Sequence, residues 1–189
     1  MRKARNLGYA WICTISLIIL LTWSCASVKD APQQYEVNVK KLNANEIQSI
    51  SNWPINPYIE PGSIIRGKID EFVVIRIEFK IEREMLISIF GDFKDNDGKY
   101  IPIYYTEEFL TYWDQFKGSN DRNSTQNFIK KQNLIKQTCI PGSQFKLRPG
   151  QYIYYLVFIG PYPIKKPARG RIDISTSFGE YDSILIDIE

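Results

Sequence analysis

Val73-Val74-Ile75-Arg76-Ile77-Glu78-Phe79-Lys80-Ile81 is the clearest strand in this 189-residue chain. Val73, Ile75, Ile77, Phe79 and Ile81 fall on one side of an extended backbone, and Arg76, Glu78 and Lys80 fall on the other. Alternation of this kind specifies a strand with one face in a core and one in water, as antiparallel sheets commonly have. Met85-Leu86-Ile87-Ser88-Ile89-Phe90 follows, is apolar on both faces and is expected as an inner strand. Tyr35-Glu36-Val37-Asn38-Val39 alternates upstream, and Ser63 to Ile69 is expected to pair with the Val73 strand or with a neighbouring sheet.

Farther along, Gln144-Phe145-Lys146-Leu147, the turn Arg148-Pro149-Gly150 and Tyr152 to Ile159 read as strand, turn and long strand. Tyr152, Tyr154, Leu156 and Phe158 share one face, while Ile153, Tyr155, Val157 and Ile159 share the other, so this is expected as a central strand. Gly160-Pro161-Tyr162-Pro163 turns the chain into a basic loop, Lys165 to Gly170. Arg171-Ile172-Asp173-Ile174-Ser175 and Ser183-Ile184-Leu185-Ile186-Asp187-Ile188 alternate as closing strands. Short strands divided by Gly, Pro and Asp turns give an all-β class: an antiparallel β-sandwich, Ig-like or jelly-roll, with at most one short helix. Leu147-Arg148-Pro149-Gly150-Gln151-Tyr152 resembles the L-x-x-G-x-Y hairpins of secreted β-sandwich modules, including jelly-roll carbohydrate-binding domains, which supports the same architecture.

The one expected helix lies between Thr106 and Lys117. Phe109, Tyr112, Trp113 and Phe116 recur at helical spacing, Thr106 is placed to cap the start, Glu107 and Glu108 suit the first turn, and Gly118 can end it. Such an aromatic stripe is a core face, with a sugar- or peptide-stacking platform as the functional alternative. Glu107 and Glu108 are adjacent and point about 100° apart on a helix, which does not suit a catalytic carboxylate pair. Asn43 to Ser51 reads as a short helical turn, and Trp53 to Gly62 carries Pro54, Pro57 and Pro61, which forbid regular structure there. Gly118 to Gln126 is a polar loop containing the sequon Asn123-Ser124-Thr125. Lys130, Lys131 and Lys136 suggest a solvated basic surface.

Gly91-Asp92-Phe93-Lys94-Asp95-Asn96-Asp97-Gly98-Lys99 reads as a hairpin loop. Asp92, Asp95 and Asp97 also raise a calcium site of some other kind than an EF-hand, because that motif requires acids where Phe93 and Tyr104 stand. No metal or cofactor is assigned. The chain has no histidine, which removes His-based triads and zinc sites. Of three cysteines, only Cys139 lies in the domain; it reads as a small buried hydrophobe, and no disulfide framework is available.

The N-terminus supplies an address. Arg2, Lys3 and Arg5 precede an apolar run from Leu7 to Leu21, the pattern of a cleaved signal peptide, here 1–24. Ile18-Ile19-Leu20-Leu21-Thr22-Trp23-Ser24-Cys25 resembles a bacterial lipoprotein signal of the relaxed kind found in spirochaetes. The resemblance implies that Cys25 is lipidated, palmitate being the type of chain expected, and that it becomes the new terminus. Acyl chains add about 0.8 kcal/mol of membrane affinity per buried CH₂, so several chains hold a soluble domain at a bilayer. Cleavage after Ala26, releasing a soluble protein, and an uncleaved anchor are the alternatives. Residues 25–34 read as a tether and 35–189 as a single domain. Removing Arg2, Lys3 and Arg5 from 24 basic residues leaves 21 against 21 acids, which argues against nucleic acid as a partner.

The expectation is therefore a membrane-anchored envelope lipoprotein facing the periplasm or cell exterior. It would bind a protein or glycan without catalysis, through exposed aromatics such as Trp53, Tyr58 or Tyr162. An accessory subunit of a surface or transport assembly and a His-independent hydrolase of envelope polymers are the other readings. No catalytic residue is assigned.

Overall fold

The Val73 stretch lies in strand β2 (Asp70–Ile81), which pairs antiparallel with β1 (Tyr35–Lys41) on one side and β6 (Gly150–Pro161) on the other. The computed structural model describes residues 34–52, 54–59, 70–116, 122–161 and 164–188. Two four-stranded sheets stack face to face. The first has the order β1-β2-β6-β4, with β4 at Ile103–Tyr104, and the second β5-β3-β7-β8, formed by Gln144–Leu147, Met85–Lys94, Ala168–Thr176 and Tyr181–Ile188. Among the described residues every pairing between strands is antiparallel, so the fold is the expected β-sandwich. Its core takes Ile75, Ile77 and Phe79 from β2, Ile87, Ile89 and Phe93 from β3, and Leu156 and Phe158 from β6. Ile172 and Ile174 from β7 and Ile186 and Ile188 from β8 complete it.

β2 changes character along its length. Arg76 and Glu78 are half-exposed and Lys80 is exposed, as alternation requires, but Phe72 and Val74 are buried on that same outer side. A second core covers them there. Phe72, Val74, Val157 and Ile159 meet Leu42, Tyr58 and three helices: α1 (Ala44–Ile50), α2 (Thr106–Asp114) and α3 (Arg122–Thr138). Among the described residues three helices stand where at most one was expected. α1 is fixed by a capping box, with Asn43 Oδ1 accepting from the Glu46 backbone N–H at 3.0 Å and Glu46 Oε2 accepting from the Asn43 N–H at 2.9 Å.

α3, at 17 residues, is the longest of the three. Phe128, Lys131, Ile135 and Thr138 follow a helical period along its packed side, but a lysine occupies a position where an apolar residue would have revealed the pattern. Lys131 is buried with its Nζ 3.4 Å from the centre of the Trp113 ring, and burial lowers its ammonium to about 8. It is therefore not part of a solvated basic face, unlike Lys130 and Lys136.

The Leu147–Tyr152 segment is not a hairpin. β5 pairs with β3 and β6 with β2, so Arg148-Pro149 carries the chain from one sheet to the other. Gly150 has φ +153°, and the Tyr152 ring lies 3.5 Å from where a Cβ on Gly150 would stand. The Tyr152 hydroxyl donates to the Arg148 carbonyl at 3.2 Å, a tyrosine corner that braces this crossing. A strand-turn-strand pattern is the same for a hairpin and a corner, which is why the local sequence misreads it.

Asn56 organises the approach to the helix layer. It is fully buried; its Nδ2 donates to the Ile47 and Ser51 carbonyls at 2.6 and 3.1 Å, and its Oδ1 accepts from the Tyr58 N–H at 2.9 Å. These bonds satisfy carbonyls left open where α1 ends and the Tyr58 N–H that follows Pro57. The stretch Ser63 to Ile69 lies outside the described residues, as do residues 1–33.

Candidate functional site

Most residues singled out in the sequence are placed in structural roles. Phe109, Tyr112 and Trp113 are buried, with Phe109 and Trp113 set edge-on at 6.4 Å, so the aromatic stripe is core and not a stacking platform. Thr106 is not the helix cap: that position is Tyr105, while the Thr106 hydroxyl donates to the Ile140 carbonyl at 2.9 Å and ties α2 to the end of α3. Tyr58 was expected outside but is buried, packed 4.9 Å from the Tyr155 ring, with its hydroxyl 2.8 Å from Thr138 Oγ1. The helix layer that covers it left no trace near Tyr58 in sequence. Trp53, Tyr162 and Cys25 lie outside the described residues, as does the signal segment 1–24. The sequon falls in the first turn of α3, not in a loop.

The acidic stretch divides into strand and turn. β3 continues through Lys94, so Gly91, Asp92 and Phe93 belong to the sheet and only Asp95 to Lys99 turn. Asp95 Oδ1 accepts from the Asp97 and Lys99 backbone N–H groups at 3.0 and 2.8 Å, an Asx turn, while Asp97 pairs with Lys165 and Asp92 lies 3.4 Å from Lys94. The three carboxylates have three separate jobs. Among the described residues no three metal-ligating side chains come together.

Cys139 is fully buried beside β6 and has no disulfide. Burial pushes its thiol up to about 12 from 9.0, against a lowering by its hydrogen bond with Thr106. The folded state thus keeps a proton that the unfolded chain loses above pH 9.0; this contribution to stability is intact below that pH and is lost as pH rises toward 12. A maleimide or iodoacetamide at pH 8 is expected to modify Cys139 in urea and to leave it unmodified in buffer, a rate difference of about a thousandfold from thiolate population alone. Equal rates in the two conditions, read at the Cys139 peptide by mass spectrometry, would show an accessible thiol.

The surface with the strongest claim to function is the outer face of the second sheet. Eight large apolar side chains are exposed among the described residues, and five of them, Leu86, Phe90, Phe178, Tyr181 and Leu185, lie on this face or at its rim. Leu185 is 78% exposed and Phe90 53%. The expected inner strand at Met85–Phe90 does lie inside its sheet, between β5 and β7, but nothing among the described residues covers its outer face. The all-apolar run carried this signal, and it was read as burial on both sides. By contrast, half of the first sheet's outer face lies under the helices.

Polar groups on the face are mutually held. Arg171 lies 3.0 Å from Asp173 and Arg169 3.5 Å from Asp187. Asp173 Oδ1 accepts from the hydroxyls of Ser183 at 2.7 Å and Tyr181 at 2.8 Å. The Ser183 bond, then the Tyr181 bond and Arg171, hold the Asp173 carboxyl below its usual range. Arg83 stacks 3.3 Å from the Phe178 ring centre. A shallow depression of about 270 Å³ opens among Asp92, Lys94, Arg169, Gly170, Arg171 and Leu185. This is a face with apolar projections, guanidinium donors and hydroxyl oxygens fixed by Asp173 that can still accept, suited to contact and hydrogen bonding.

No protein-family model matches the chain, and no curated protein does. Among solved structures it is similar to the X-ray structure of a structural-genomics target at 12% identity and a TM-score of 0.35, covering 81% of this chain and 82% of that one. It is also similar to the solution structure of a lipoprotein from Bacteroides thetaiotaomicron at 14% identity and a TM-score of 0.30, covering 84% and 83%. A conjugate transposon protein from Bacteroides vulgatus matches at 13% identity and a TM-score of 0.29, covering 85% and 89%. Likenesses this distant carry no argument about fold or function.

Proposed function

We propose that the chain is a lipid-anchored, non-catalytic binding module of a bacterial envelope, held at a membrane through Cys25 and presenting the outer face of β5-β3-β7-β8 to a protein partner. The observation that carries the reading is the gathering of Leu86, Phe90, Phe178, Tyr181 and Leu185 on one side of the molecule. Exposed apolar groups concentrated on one face are what association surfaces have. Aromatic and arginine side chains, here Phe90, Tyr181, Arg169 and Arg171, are the types that dominate protein–protein contacts. The carboxylates on this face are held by cations or hydroxyls, which favours binding over acid–base chemistry. Anchoring rests on the apolar run that ends at Cys25.

The test places a photo-crosslinking amino acid at Phe90 in the full chain, in its own cells, and at Glu78 on the first sheet as the comparison. A single discrete crosslinked protein from position 90 and none from position 78 is expected. No adduct, or the same adducts from both positions, refutes the surface. In parallel, Cys25→Ser is expected to abolish fatty-acid labelling and release the protein from the membrane fraction. A wild-type protein that is unlabelled and free would overturn the anchor and favour cleavage after Ala26.

A further inference from the structure

β8 is an edge strand, and its ladder shows where its second set of backbone groups points. Thr176 N–H donates to the Glu180 carbonyl at 3.0 Å, and the register pairs Ile174 with Asp182 and Ile172 with Ile184. In an antiparallel ladder hydrogen-bonded pairs recur at every second residue, so the even-numbered residues of β8 bond to β7. The backbone groups of Ser183, Leu185 and Asp187 therefore point to the open edge. The Asp187 carbonyl is seen to do so, accepting from Lys41 Nζ at 3.0 Å. β8 contains no proline, lysine or bulge, its charged side chains Asp182 and Asp187 are held by Tyr35 and Arg169, and Leu185 at its middle is 78% exposed. Beside it, β1 is the edge of the first sheet, and Val37, Val39 and Ile184 are only half-buried along this flank.

We propose that two copies of this chain associate by antiparallel pairing of β8 with β8, about a two-fold axis at Leu185. Leu185 lies at the middle of the strand, Tyr181–Ile188, so in that register nearly all of it overlaps its copy. Strand partners must present side chains to the same face, which restricts the axis to a residue and not to the gap between two. With the axis at Leu185, Leu185 stacks on its copy, and Ser183, whose hydroxyl proton goes to Asp173, stands opposite Asp187, which is paired with Arg169. The backbones exchange hydrogen bonds at Leu185 and at both Ser183–Asp187 pairs, and the Asp187 carbonyl has a second lone pair beyond the one Lys41 uses. Moving the axis to Ser183 would set two serines together, place Leu185 opposite Tyr181 and shorten the ladder to residues 181–185, and moving it to Asp187 would set two carboxylates together. The occupant is thus a second copy, forming one sheet of twice the width. This inference shares Leu185 and Tyr181 with the face proposed for the partner, and position 90, two strands away from the edge, tells the two apart.

Single cysteines in the full-length chain test both the association and its register. Partners in a hydrogen-bonded antiparallel pair have Cα atoms about 5.5 Å apart, within disulfide range. Leu185→Cys is expected to give a reductant-sensitive dimer on mild oxidation. Ser183→Cys alone is not, because its own copy lies four residues away, about 13 Å at 3.4 Å per residue. Mixing Ser183→Cys with Asp187→Cys is expected to restore crosslinking between the two variants. If Leu185→Cys stays monomeric at high concentration, or Ser183→Cys alone crosslinks as readily, the pairing is wrong. A monomeric Leu185→Cys that instead crosslinks to a different protein assigns the edge to that protein.

Discussion

Gly170→Ala is expected to lower stability by about 3 kcal/mol, the upper part of the range for overpacked interiors. A Cβ at Gly170 would stand 1.9 Å from Phe93 Cδ2, 2.5 Å from Cε2 and 2.9 Å from Cγ. Phe93 cannot step aside, being 1% exposed and packed 5.2 Å from the Phe158 ring across the sandwich. The two strands are directly paired at this point, Phe93 with Gly170, so relief would require β3 and β7 to part. Urea midpoints of Gly170→Ala, Phe93→Leu and the double variant measure the effect. The double variant is expected to be markedly more stable than the sum of the two losses allows, because leucine vacates the space the new methyl needs. Additive losses would show that the alanine acts elsewhere.

Trp113→Ala is expected to cost about 3–5 kcal/mol, as for other buried aromatic truncations. Trp113 is 3% exposed; its ring contacts Phe72, Phe109, Tyr112 and Phe116, and its Nε1–H donates to the Pro57 carbonyl at 3.2 Å. It therefore joins α2, β2 and the proline-rich segment, and Lys131 brings α3 to its face. Trp113→Phe retains most of the packing and is expected to lose about 1 kcal/mol, for one hydrogen bond. Hydrogen exchange locates the damage: amides of α2 and α3 should lose protection before those of β3 and β7, which belong to the other core. Uniform loss across both sheets would mean that the two cores behave as one.

The sandwich was legible because its signal is local: Val73 to Ile81 declares its faces by alternation, and Tyr152 to Ile159 declares burial on both. The helix layer was less legible. β2 announced it only through Phe72 and Val74, two apolar residues on what is otherwise its solvent side, and α3 hid its packed stripe behind Lys131. Sheet membership is a matter of which distant strand accepts a hydrogen bond, and the Leu147–Tyr152 segment carries no record of that. The candidate surface was written in the chain, since Leu86, Phe90 and Leu185 are apolar where alternation puts them outside. An apolar residue reads the same whether a partner layer comes from its own chain or from another. Cys25 is the converse case, a site read from sequence that lies outside the described residues.

The alternation of strands between the sheets also sets a schedule. β3 rests between β5 and β7, and the far side of β2 waits for β6, so a growing chain that has reached Phe116 can pair only β1 with β2. At about 5–20 residues per second, the remaining strands arrive over roughly 4–14 seconds, during which Val73, Ile75 and Ile77 have no complete second sheet to rest on. Pairings between such distant segments are slow to form even once the chain is complete. Every partner strand that the second sheet needs comes after residue 143, so the sandwich cannot be complete until the C-terminal part of the chain is present.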